Sequence, residues 1–238
     1  MKIRSTGKAR WRCVLGPPEA AGANSRTPLE TWENLAALGS GRLVQRARSS
    51  WVQIVTWNST YVYAKTYVYP TAADRRRGWL RTTWLAPSRA RREATALLWL
   101  RSHGFFAPAP LAVVEARRFG VLHAALLLTE PVEGEPLHQV LPRLAHSSQA
   151  AILRALRTHV TALHEAGFRD RNLDLRNILL VGDAAAPRFA KIDSPRHRLR
   201  RRGAGADSLT RADWRRLTDS LAELGLVWPD APSEVDAG

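Results

Sequence analysis

Leu163-His164-Glu165-Ala166-Gly167-Phe168-Arg169-Asp170-Arg171-Asn172-Leu173-Asp174-Leu175-Arg176-Asn177-Ile178-Leu179-Leu180 is the stretch on which the reading of this chain turns. An apolar periodic run stops at a glycine, a polar loop follows, and the loop closes on Asn-Ile-Leu-Leu. About a dozen residues further on, Ala190-Lys191-Ile192-Asp193 reads as a short apolar strand ending in a carboxylate. An asparagine at the end of a loop and an aspartate at the end of a nearby strand supply hard oxygen ligands. Such ligands suit Mg²⁺, which keeps substrate phosphates in its own shell.

Upstream of this stretch the pattern changes. From Leu43 to Tyr69 the chain has a period of two and is dominated by β-branched and aromatic residues. Leu43–Ala47, Trp51–Trp57 and Tyr61–Tyr69 are predicted as three antiparallel strands, joined at Arg48-Ser49-Ser50 and Asn58-Ser59-Thr60. In the third, Tyr61, Tyr63, Lys65, Tyr67 and Tyr69 fall on one face. Thr31–Leu38 is predicted as a short helix ending at Gly39. Ser88 caps a predicted helix running to Ser102, whose stripe of Ala90, Glu93, Leu97 and Leu100 puts a carboxylate on or beside an apolar face. Leu111–Ala116 and Val121–Thr129 are a further pair of strands. Thr129–Gly134 is polar and turn-like, and marks the predicted boundary between two lobes.

Downstream, Ser148–Ala166 is predicted as a helix with Ile152, Leu156, Val160 or His159, and Leu163 on its buried stripe. A last helix is expected to start at Thr210, with Asp213 completing a capping box and Trp214, Leu217, Leu221 and Leu224 facing inward. The order of elements implies an α+β protein in three parts: a basic arm over residues 1–28, a sheet-rich lobe over 29–130, and a mainly helical lobe over 131–238.

Composition limits the function classes. The chain has 238 residues, 45% of them hydrophobic, which is enough to bury one substantial core or two small lobes. A single cysteine, Cys13, excludes a disulfide within the chain. No run of apolar residues has the length of a membrane span, and Met1–Arg12 lacks the apolar core of a secretory signal. These features give the expectation of a cytoplasmic protein. The net charge is +15, and of the 36 basic residues only Lys2, Lys8, Lys65 and Lys191 are lysine. Two readings of the arginine excess stand side by side: genomic base composition, and an anionic partner such as a phosphorylated glycolipid, a membrane surface or nucleic acid. Nucleic acid is the weakest candidate, since no zinc-finger, helix-turn-helix or RNA-recognition signature accompanies the charge.

Taken together these segments resemble the lipopolysaccharide kinase family (Kdo and heptose kinases), a branch of the protein-kinase-like superfamily. The resemblance covers roughly residues 40–225. Tyr63-Ala64-Lys65 is similar to the strand that carries the phosphate-binding lysine, and Ser88–Glu93 to the helix whose glutamate pairs with it. Leu163–Gly167 resembles the approach to the catalytic loop. Asn177 and Asp193 match the two metal ligands, with Ile192-Asp193-Ser194-Pro195-Arg196 in place of Asp-Phe-Gly, and Asp213 matches the aspartate that braces the catalytic loop. The resemblance implies a two-lobed kinase-like fold with a small antiparallel-sheet N-lobe, one helix and a shortened helical C-lobe. It implies ATP and Mg²⁺ as cofactors, with Lys65, Glu93, Glu130 and Val132 on the nucleotide side. It also implies a sugar hydroxyl of an anionic, lipopolysaccharide-core-like glycolipid as acceptor, met by peripheral contact with an anionic inner-membrane surface.

Residue-level reasoning supports two of these positions. A lone mid-strand lysine in an arginine-rich chain suits a compact contact with phosphate. Glu93 on an apolar stripe needs a cation, and Lys65 is a natural one.

The departures concern catalysis. In H-R-D-x-x-x-x-N the aspartate stands five residues before the asparagine. Here that position is Asn172, which can orient a hydroxyl but cannot accept its proton. Asp170 occupies the motif's histidine position and is expected to bond to backbone or to a nearby arginine. Asp174, two residues beyond Asn172, is the expected substitute base. The alternative is a pseudokinase that binds nucleotide or a partner without turnover. The turn Arg48-Ser49-Ser50 also lacks the glycines that let backbone amides close over phosphates. Two arginine clusters, one at Arg75, Arg76, Arg77, Arg81, Arg89, Arg91 and Arg92 and one from Arg196 to Arg202, are expected to face an anionic acceptor.

Overall fold

In a computed structural model of the chain, residues 10–15, 29–69, 87–183 and 186–229 are described. They fall into two compact units, divided at Leu98/Trp99, Ala107/Pro108 and Pro131/Val132.

The first unit is built on an antiparallel sheet of six strands. These are β1 (Arg10–Leu15), β2 (Arg42–Ala47), β3 (Ser50–Trp57), β4 (Thr60–Val68), β5 (Pro110–Arg118) and β6 (Val121–Thr129), in the spatial order β1-β5-β6-β4-β3-β2. The three strands expected between residues 43 and 69 are present, each displaced by a residue at most at either end. The β3–β4 turn is made by Asn58 and Ser59 at φ +47° and +63°, the left-handed pair that a two-residue hairpin requires. Alternation buries Val62, Ala64 and Thr66 on one face of β4. That face meets helix α1 (Leu29–Ala36) through the Thr66 hydroxyl, which donates to the Ala36 carbonyl at 3.3 Å. Fully buried Gln53 fixes the end of α1. It accepts from the Gly39 amide at 2.8 Å and donates to the Ala37 carbonyl at 2.8 Å.

One expectation fails here. Residues 10–15, read as part of a loose arm, form edge strand β1 and pair with β5 from Arg10↔Arg117 to Leu15↔Val113. The paired sheet edge supplies hydrogen bonds that composition does not reveal. Arg75, Arg76, Arg77 and Arg81 lie outside the described residues.

Helix α2 (Arg89–Ser102) begins as expected. The Arg91 amide donates to the Ser88 hydroxyl at 3.0 Å, a serine N-cap. Its stripe is buried at Ala90, Glu93, Leu97 and Leu100, while Leu98 faces solvent.

The second unit contains the short strand β7 (Glu135–Pro136), helix α3 (Leu137–Val140), helix α4 (His146–Ala166), β8 (Phe168–Arg169), β9 (Ile178–Val181), β10 (Arg188–Lys191), β11 (Arg198–Leu199) and helix α5 (Ser208–Ala222). Its core joins Ile152, Leu156 and Val160 of α4 to Ile178, Phe189, Leu217 and Leu221. Helix α4 stops at Gly167, which sits at φ +101°. A Cβ there would lie 2.3 Å from the Arg200 carbonyl, so both the turn and the close packing demand glycine.

The start of α5 corrects the sequence reading. Asp207 is the cap, accepting from the Thr210 amide at 2.8 Å, and Thr210 is its capping-box partner rather than the cap itself. The box closes one turn earlier than expected, which frees Asp213 for another role.

Candidate functional site

In the first unit, the sheet and α2 bring together the two residues paired by sequence reasoning. Lys65 Nζ lies 3.0 Å from Glu93 Oε1. Glu93 is buried, and its second oxygen accepts a hydrogen bond from the Tyr67 hydroxyl. Tyr67 is itself buried, with the Arg89 guanidinium 4.9 Å from its ring centroid. Both carboxylate oxygens are therefore occupied, as burial of a charge demands. Tyr67 had no assigned role in the sequence, although its place on the Lys65 face of β4 was visible there. Glu130 donates its amide to the Ala109 carbonyl at 2.9 Å, on the segment leading to Val132.

In the second unit, the loop from Asp170 to Asn177 is held from two sides. From α5, the buried Asp213 carboxylate accepts the Asp170 amide at 3.0 Å and the Arg171 amide at 2.8 Å. The sequence resemblance had given Asp213 this bracing position. From β10, Lys191 Nζ lies 2.9 Å from Asp170 Oδ2, and each side chain is only 1% exposed. Asp170 thus pairs with a lysine rather than an arginine. Burial pushes its carboxyl up to about 6, against the opposing pull of Lys191. The sequence reading gives Lys191 no role beyond its place in the strand. The signal that could have found it is the one that drew attention to Lys65, the scarcity of lysine.

Between these anchors the loop presents its amides to the metal-ligand candidates. Asn172 Nδ2 donates to both the carbonyl and Oδ2 of Asp193, each at 3.0 Å. Asn177 Nδ2 donates to the Asn172 carbonyl at 3.1 Å, which leaves its Oδ1 as the acceptor end of the amide. Ile192 donates its amide to the Asn177 carbonyl at 3.0 Å. Asp193 stands at φ +56°, a conformation that non-glycine residues adopt at a cost and that recurs at ligand sites. Among the described residues no group of three or more His, Cys, Asp or Glu side chains could hold a metal. The candidate donors are one carboxylate and one amide oxygen, linked through Asn172. That is the sparse, hard-oxygen provision that suits Mg²⁺ carried by substrate phosphates.

The expected substitute base does not fit its role. Asp174 accepts from the Arg176 backbone amide and from its guanidinium, at 2.9 Å each, and its second oxygen lies 2.8 Å from Arg176 Nη2. Burial raises its proton affinity, but the Arg176 hydrogen bonds and charge outweigh that and hold the carboxyl below its ordinary value. A carboxylate capping a 3₁₀ turn and chelated by an arginine is a poor proton acceptor. No expected carboxylate in this loop is thus placed as a base. Asp170 is sealed with Lys191, and Asn172 grips Asp193.

The segment after Asp193 is tied back to α4 by a buried arginine. Arg169 donates to the carbonyls of His164 at 2.6 Å, Phe168 at 3.1 Å and Ala204 at 3.2 Å. The Arg200 amide bonds to the Gly167 carbonyl at 2.8 Å. Arg196, Arg198, Arg200, Arg201 and Arg202 all remain exposed, with Leu199 among them.

Comparison with known proteins agrees with this geometry. The model of the lipopolysaccharide kinase (Kdo/WaaP) family matches residues 40–232. Among solved structures, WaaP in complex with acyl carrier protein is similar over 91% of this chain and 83% of that one, with a TM-score of 0.64 and 20% identity. The Rio2 kinase complex with ADP, Mg²⁺ and phosphoaspartate from Chaetomium thermophilum is similar over 81% of this chain and 59% of that one. Its TM-score is 0.55 at 18% identity. At such identities the likeness establishes the fold, which is that of the protein kinases. No curated protein sequence matches the chain.

Proposed function

We propose that this chain, which belongs to the lipopolysaccharide kinase (Kdo/WaaP) family, transfers phosphate from ATP to a sugar hydroxyl of a lipopolysaccharide-core-like glycolipid, with no carboxylate base in its catalytic loop. The observation that carries the reading is the linked set Asn177–Asn172–Asp193. Asn177 and Asp193 would hold Mg²⁺, which when bound neutralises phosphate charge. Lys65, kept in place by Glu93 and Tyr67, would contact the nucleotide phosphates, and the backbone at Glu130 and Val132 would receive the base. Phosphoryl transfer depends mainly on positioning and electrostatic stabilisation, so the missing base slows the reaction without forbidding it. The Asn172 amide would then act by fixing Asp193, and the acceptor hydroxyl would release its proton to solvent or to the transferred group.

The exposed arginine run from Arg196 to Arg202 fits an acceptor bearing phosphate, presented at an anionic membrane surface. No helix among the described residues is long and apolar enough to cross a membrane.

A second reading, a nucleotide-binding pseudokinase, is favoured by one specific observation. Asp170, Asn172 and Asp174 are all engaged by protein partners. Labelled ATP, Mg²⁺ and an extracted glycolipid fraction separate the two. Transfer of label that disappears in Asp193→Ala supports the kinase. Saturable Mg²⁺-ATP binding with no transfer supports the pseudokinase, and transfer undiminished in Asp193→Ala contradicts the assigned metal site.

A further inference from the structure

We propose that the buried Lys191–Asp170 ion pair is a positioning device that sets Asn172 against Asp193, and so tunes the chain's response to the divalent cation. The proposal rests on the metal role given above to Asn177 and Asp193.

The first ground is where the two residues sit. Lys191 is the last residue of β10, two positions before Asp193. Asp170 follows β8 and stands two positions before Asn172. The ammonium–carboxylate contact at 2.9 Å therefore ties the strand bearing the metal carboxylate to the loop bearing the amide that grips it. The Asn172 contacts to Asp193, at 3.0 Å to both its carbonyl and its side chain, close the same small ring of interactions.

The second ground is the side from which Asp170 is held. Asp213 holds the loop through the backbone amides of residues 170 and 171, and it does so from α5. Only Lys191 pulls on the Asp170 side chain from the strand. The Ser194 hydroxyl also lies against that carboxylate, one residue beyond Asp193 on the same segment. Lys191 in turn is fixed along its backbone, donating its amide to the Phe106 carbonyl at 3.2 Å, and its ammonium also donates to the Ile192 carbonyl. It thus touches the residue immediately before Asp193.

The third ground is residue choice. The motif position taken by Asp170 is a histidine in H-R-D-x-x-x-x-N. Here it is an acid, and its partner is one of four lysines in a chain with 36 basic residues. A compact ammonium on a flexible stem can reach a sealed carboxylate and a carbonyl together. A planar guanidinium needs more room. A charged pair buried at 1% exposure on each side is retained at a desolvation cost that a merely packed contact would avoid.

The test uses the full chain, a fluorescent ATP analogue and MgCl₂. Lys191→Met and Asp170→Asn are compared with the double variant, in which neither partner is left as an orphaned charge and folding is preserved. Outer-shell residues govern metal affinity by roughly 10- to 100-fold. The expected result is a rise of at least about tenfold in the Mg²⁺ concentration needed for tight nucleotide binding, in both single variants and in the double variant, with metal-free nucleotide affinity unchanged. Hydrogen exchange should quicken over residues 170–177 and 192–194 in all three. A purely structural pair predicts otherwise: the double variant would regain stability and Mg²⁺ response together, and that outcome overturns the proposal. A wild-type chain with no Mg²⁺ dependence at all overturns the metal assignment first, and the positioning role with it.

Discussion

Two lysine–carboxylate pairs, one in each unit, use the same chemistry to different ends. Lys65 and Glu93 meet at 3.0 Å with the lysine side chain 16% exposed, and Lys191 and Asp170 meet at 2.9 Å with both side chains 1% exposed. Glu93 has a second donor in Tyr67, so its charge is shared. Asp170 has Lys191 as its ionic partner. The partly open lysine can offer its ammonium to a ligand while its carboxylate keeps it in place. The sealed lysine can only set the position of what surrounds it. In an arginine-rich chain, lysine occurs among the described residues at these two positions alone.

The largest effect expected is on chemistry. Asp193→Ala should lower phosphate transfer by about 100-fold or more, because transition-state charge loses its preorganised counter-ion. Steady-state assays at saturating ATP would measure it. Next comes stability. Lys191→Met should cost about 3–5 kcal/mol in urea unfolding, the penalty for orphaning a buried charge. Lys65→Met should cost clearly less while weakening nucleotide binding more, and the reverse order would break the comparison. Tyr67→Phe keeps the packing and removes one hydrogen bond to a charged group, at about 1.5–3 kcal/mol. It should also raise the KM for ATP by loosening Glu93.

The smallest effect concerns pH. His159, packed against Phe105 and Phe189, is held neutral by burial, which lowers it from 6.5 to about 4. The folded form then binds fewer protons than the unfolded chain between those values. This contribution to stability is whole above pH 6.5 and is lost as pH falls towards 4. Urea unfolding at a series of pH values should show a shallower acid slope in His159→Phe than in the wild type.

Much of this was legible in the sequence because it rests on local pattern. Alternation located β2, β3 and β4, and a three-to-four-residue stripe located α2 and α4. Gly167 marked the end of α4. Asn177 and Asp193 stood out by residue type and spacing, and Glu93 by being charged on an apolar stripe. What escaped depends on tertiary contact. The β1 strand is defined by the sheet edge it joins. The meeting of Lys191 with Asp170 depends on how β10 packs beside the loop. Asp174 was the expected base and Arg176 had no reading of its own, whereas a two-residue separation at a 3₁₀ turn folds the guanidinium back onto the carboxylate. The misplaced cap of α5 has the same character. Two overlapping capping patterns were present, and packing of Asp213 against the loop selected the earlier one.

In the proposed site the loop's amides and Asp193 support metal-dependent phosphotransfer without an aspartate base. Single-turnover transfer of labelled phosphate to the glycolipid fraction, run on the wild type and Asp193→Ala with and without MgCl₂, is the test. The expected result is slow, Mg²⁺-dependent transfer by the wild type, lowered by at least about 100-fold in Asp193→Ala. Transfer by Asp193→Ala at the wild-type rate, or none by the wild type under conditions where Mg²⁺-ATP is bound, would contradict it.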